Sequence, residues 1–208
     1  MKKTFVITAS VMLLAAGCAR SSAVSQPSHP QADDAAREGL ETLKQLITNQ
    51  NYRSMGFDNL AEVSTAVVGP EWKVSTVHLD RLKSYTVGAD PSTLLTPSNE
   101  TIYPVLVGNS VRSSISVSQA PGGYRASGFG KAPVIKELAK YHTGSSVVIW
   151  IPALNLYYVG EGSGPNLRLT PIADDSRLQL RAGVAASARE VFNQLVPIAN
   201  NLKPQFPT

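Results

Sequence analysis

His78-Leu79-Asp80 is the first arrangement in the chain with the makings of a reaction centre. On a strand, an imidazole and a carboxylate two residues apart point to the same side, and the aspartate can orient the histidine as a general base. A hydrolase built on this pair also needs a nucleophile or a metal. The sequence supplies no Gly-x-Ser-x-Gly element and no His-x-x-x-His pair. Only three histidines are present, and His142 falls at the expected end of a helix, where a cation simply offsets the dipole. Asp174-Asp175, helped by Glu161, could hold a hard cation. An N-terminal cap for a long last helix explains the acidic pair without one.

Two glycine-containing segments invite an anion. Gly128-Phe129-Gly130-Lys131 joins an expected strand to an expected helix, where backbone amides beside a lysine can cradle negative charge. It is no nucleotide loop, since Arg125 stands where the first glycine is required and Ala132 where Ser or Thr is required. A strand-to-helix turn is the simpler reading. Gly160-Glu161-Gly162-Ser163-Gly164 lies between two strands with no helix after it, which describes a hairpin loop. Aromatic residues offer the other candidate chemistry. Tyr157, Tyr158, Trp150, Tyr103 and Tyr124 fall on or beside expected strands, and several sharing an exposed face would form a surface for peptide, glycan or apolar ligand. Lys131, Tyr157 and Tyr158 are thus the candidate binding residues. No cofactor is called for.

Cys18 is the single cysteine among 208 residues. Lys2 and Lys3 precede an apolar run from Phe5 to Leu14, which is too short to span a bilayer, and small residues follow. That is the anatomy of an export signal. The order Leu14-Ala15-Ala16-Gly17-Cys18 resembles the lipobox of bacterial lipoproteins. The resemblance covers residues 1–18 and implies lipidation of the Cys18 thiol with cleavage between Gly17 and Cys18. It implies a multiply acylated, effectively permanent anchor, because one chain alone binds only reversibly at about 0.8 kcal/mol per buried CH₂. Ala19 follows in place of the aspartate that resembles an inner-membrane retention signal. The implied location is the cell envelope, on the periplasmic side of the outer membrane where the cell has one.

The anchor changes what composition means. Loss of Lys2 and Lys3 with the signal reduces the formal charge of +4 to near +2, the other 17 basic residues facing 15 acidic ones. Neither that balance nor an exported location suits nucleic acid. With Cys18 acylated, no thiol remains for a disulfide or a cysteine metal site. Residues 18–31 are rich in serine and proline and read as a tether, and residues 32–208 as one domain.

Within that domain the elements must position the candidates. Helical spacing of Ala36, Leu40, Leu43 and Ile47 predicts a helix from Asp33-Asp34 to about Thr48, and a second is expected over 58–68, closed by Gly69-Pro70. Strands are expected at 72–79, 102–107, 111–118 and 124–129, with Gly108-Asn109-Ser110 as a hairpin turn. Pro104 argues for an edge or a bulge. A helix over 132–142 precedes the very apolar run 147–151, followed by strands near 156–159 and 167–172. A final helix is expected from Asp175 or Ser176 onward, kinked or ended by Pro197.

The expected fold is α+β: a single twisted, mainly antiparallel sheet of about six strands packed with N- and C-terminal helices. The expected function is a membrane-anchored, non-enzymatic binding or scaffolding module for another envelope protein or cell-wall component. A carrier of an apolar ligand is the alternative, and a hydrolase using His78 and Asp80 a lesser one.

Overall fold

A computed structural model describes residues 30–202. Gly17, Cys18 and the expected cleavage site lie outside the described residues, as does the tether before Pro30. Helix α1 (Pro30–Leu46) buries Ala32, Ala35, Ala36, Leu40 and Leu43 on one stripe, with Asp33 in its first turn and Lys44 in its last to complement the dipole. Gly39 lies on that stripe for a steric reason. A Cβ there would stand 2.9 Å from both Ala126 Cβ and Ile115 Cγ2.

The expected helix over 58–68 is a short helix and a strand. Helix α2 (Ala61–Thr65) is capped by Asn59, whose Oδ1 accepts from Glu62 N at 3.1 Å. Ala66 turns extended, and the β-branched pair Val67–Val68 forms strand β1. Strand β2 (Trp72–Val77) ends one residue before His78. His78-Leu79-Asp80 therefore does not continue a strand: His78 is the N-cap residue of helix α3 (Leu79–Lys83).

Strand β3 (Leu95–Val107) starts well before the expected Ile102 and pairs with β2 as far as Leu95↔Val77. It is followed by β4 (Ser110–Ala120), β5 (Gly123–Phe129), helix α4 (Ala132–Ala139), β6 (Val147–Ile151), β7 (Leu156–Glu161), β8 (Arg168–Pro171), β9 (Ala186–Ser187) and helix α5 (Ala188–Asn201). The sheet has nine strands rather than about six, and its order is β5-β4-β3-β2-β6-β7-β8-β9 with β1 also on β3. The surplus includes β1 and β9, two residues each, which have no length to show a period. Pairing is antiparallel except at β2–β6, where the two halves of the sheet meet in parallel.

β3 is internal, so of the edge or bulge that Pro104 suggested it is the bulge that the structure has: register shifts between Val105 and Leu106 against β4 and between Pro97 and Thr101 against β2. The proline is accommodated because its neighbour is interrupted there. β1 ends opposite Val105 and β2 begins opposite Ile102, and Gly69, in the gap, donates its N–H to Pro104 O at 2.7 Å. No strand donor is missed at that point. The last helix begins at Ala188, not near Asp175. Segment 173–185 is instead looped, with Gln179 and Gly183 at φ 52° and 77° and Asp175 bridging Leu180. α5 continues past the exposed Pro197 to Asn201.

The register divides the side chains between two faces. Tyr103, Val105, Ile115 and Val117 pack under α1, while Val77, Ile149, Ile151, Tyr158 and Leu169 pack under α3 and α5. These lie on one face. On the other, Trp72, Val74, Ile102, Val148 and Val159 pack under α4. With eight residues, α4 covers only part of its face. Among the described residues, no helix is long and apolar enough to cross a membrane.

Candidate functional site

The uncovered part of the α4 face carries a cross-strand row built by register alone. Thr96 of β3 pairs with Thr76 of β2, Thr76 with Trp150 of β6, and Trp150 with Tyr157 of β7. Paired residues point to the same side of a sheet, so the four side chains form one line. The Trp150 and Tyr157 rings are nearly parallel, 8° apart with centroids at 5.8 Å.

Lys131 reaches this row from the turn before α4. Gly130 and Lys131 both have positive φ, 94° and 55°. For a lysine this left-handed conformation is unfavourable. Ser114 fixes the turn, its Oγ donating to Gly130 O at 2.7 Å while Gly130 N donates to Ser114 O at 3.0 Å. The outcome places Lys131 Nζ 5.5 Å from the centre of the Trp150 ring and 3.7 Å from Glu100 Oε1. Ser116 Oγ donates to the same Glu100 oxygen at 2.5 Å. The indole and the carboxylate hold the cation in place, and a pair this open to water adds little to stability.

The row also contains unspent hydrogen-bonding capacity. Trp150 Nε1 and Thr96 Oγ1 are buried and have no partner. Burial, with a smaller contribution from the Glu100 carboxylate, raises the Tyr157 phenol above its usual pKa, so it remains a protonated donor.

The fold separates the sequence candidates. Lys131 and Tyr157 come together around Trp150. His78 is exposed and joins the edge of the same neighbourhood, its Nε2 3.4 Å from Thr76 Oγ1. Asp80 occupies the first turn of α3, where a carboxylate favours the dipole. Tyr158 points to the opposite face, under α5.

The acidic candidates have partners of their own. Asp174 Oδ1 accepts from Ala182 N at 2.8 Å, Asp175 pairs with Arg177 at 2.7 Å, and Glu161 accepts from Thr143 Oγ1 at 3.1 Å. Among the described residues, no cluster of three or more His, Cys, Asp or Glu is placed to hold a metal ion. Gly160 belongs to β7 rather than to the loop, and its missing Cβ gives room to Ile149.

Glu100, Thr76 and Thr96 were not among the sequence candidates. Their one signal is alternation within a strand, which identifies a face only after the pairing is known. No protein-family model, curated protein or solved structure matches this chain. The fold and the site describe an α+β domain whose sheet carries a half-buried aromatic and charged row beside α4.

Proposed function

We propose that the protein is a membrane-anchored envelope lipoprotein whose domain is a non-enzymatic binding module, docking another envelope protein on the open sheet face. The Cys18 lipobox supplies the anchor. The observation that carries the docking surface is the row Thr96, Thr76, Trp150 and Tyr157 with Lys131 above it. Trp and Tyr give a large contact area with little rotamer entropy to lose, which is why they dominate binding hot spots. The left-handed Lys131 conformation beside them is a cost that the isolated domain accepts in holding a cation over the indole. The surface is a sheet face rather than a cleft, a shape suited to a protein more than to a single glycan strand.

Purification from crosslinked envelopes tests this reading. The wild-type chain retains a defined protein, and Trp150→Ala loses most of it, about tenfold or more for a central aromatic anchor. Gln194→Ala, on exposed α5, retains it. Recovery of wall fragments instead of a protein would replace the protein partner by the cell wall, and recovery of neither would end the docking reading.

A further inference from the structure

A second site lies where the β6–β7 hairpin diverges from the 173–180 loop. The cavity there measures about 490 Å³, within the roughly 300–1,000 Å³ range of small-molecule sites. Val134, Leu154, Leu156, Ile172 and Leu180 supply apolar walls. Tyr158, Asp175 and Arg177 supply a polar end.

That end holds an unspent donor. Tyr158 is 1 % exposed, and its Oη is buried with no hydrogen-bond partner. Burial, reinforced by the Asp175 carboxylate and opposed by Arg177, raises its pKa, so the phenol keeps its proton. Tyr158 lines the cavity together with Asp175 and Arg177. Arg177 Nη2 and Nε donate to Asp175 at 2.7 and 3.1 Å. Asp175 shows what the guanidinium fork accepts, namely one carboxylate held by two parallel donors. The arginine side chain is 63 % exposed and Asp175 only 12 %, so the guanidinium keeps an open side for a second anion while its bond to Asp175 stays in place.

The geometry points to a binding site for a medium-chain amphiphile with a carboxylate head. Its chain lies along the apolar walls, and its head takes the open side of the Arg177 guanidinium beside Asp175, at the polar end that Tyr158 also lines. A doubly charged phosphate suits the site less, because Asp174 and Asp175 border it. The site does not depend on the docking surface, although Tyr157 touches both.

Calorimetric titration of the full chain carrying Cys18→Ser tests the inference, since without the acyl anchor no detergent competes. The probes are decanoate and decanol. Decanoate should saturate a single site. Arg177→Gln should weaken decanoate about tenfold and leave decanol within about twofold. Tyr158→Phe, which keeps the ring, should weaken decanoate several-fold while circular dichroism stays native. Val134→Trp should fill the cavity and abolish both. Absence of saturable decanoate binding overturns the inference, as does binding that is indifferent to Arg177→Gln and Val134→Trp.

Discussion

Individual residues show where this domain accepts a cost. His142 stacks on Trp72, with ring centroids 4.4 Å apart and planes 19° from parallel, and its Nε2 is buried without a partner. Burial lowers its pKa from 6.5 to about 4, against a weaker opposing pull from the Glu161 carboxylate. The folded state therefore binds this proton less readily than the unfolded chain. Stability from the neutral ring is complete above pH 6.5 and is lost as pH falls through the window towards 4. The loss is on the order of 1 kcal/mol once the ring's partial contact with water is allowed for. Urea midpoints at neutral pH and near pH 4.5 measure it, and His142→Phe, which keeps the stack, should remove most of the difference. An equal slope in the variant would mean that other groups carry the acid sensitivity. The same kind of cost at Trp150, Thr96 and Lys131 is concentrated on the open face, which is what gives that face its interest.

At the scale of elements, the sequence was legible where a period had room to repeat. Ala36, Leu40, Leu43 and Ile47 announce α1, and the alternation of Ser113, Ile115 and Val117 announces β4, although a bulge sends Val111 to the other face. Two-residue strands such as β1 and β9 have no period to show. The Asp175 start of the last helix failed because a cap and the apolar residues Leu180 and Val184 can also belong to a loop, and Gln179 and Gly183 in left-handed conformation interrupt any helix there. Pro104 left edge and bulge open, because a proline excludes a donor and not a central position; the register shifts of β3 and the gap between β1 and β2 remove the need for that donor.

Candidate binding residues could be named from type alone, as Lys131 and Tyr157 were. Their convergence on Trp150 depends on cross-strand register and on a left-handed turn, neither of which has a local signature. Packing of α1 gives a direct check on this layer. Gly39→Ala should destabilise by about 1–3 kcal/mol despite alanine's better helix propensity of about 1 kcal/mol, because two contacts at 2.9 Å must give way. Chemical denaturation reads the sign, and a stabilised variant would show that α1 can lift from the sheet at little cost.

For the molecule as a whole, the two faces of the sheet have different roles. The face under α1, α3 and α5 is closed and supplies much of the core. The other is closed by α4 over part of its area and open around Trp150. The proposed anchor at Cys18 precedes α1 in the chain, and α1 packs on the closed face. Cys18→Ser should leave the chain unacylated and move it from the membrane fraction to the soluble one on fractionation. A variant that stayed with the membrane would remove the lipoprotein reading and leave the docking surface to be argued alone.

The central claim, a partner docked on the open face, is tested most directly by a photoreactive residue placed at Tyr157 in living cells, with a second placed at Gln194 on α5. One discrete crosslinked protein is expected from position 157, absent from position 194 and lost when Trp150→Ala is added. Equal crosslinking from both positions, or a product at 157 that persists in Trp150→Ala, would contradict it.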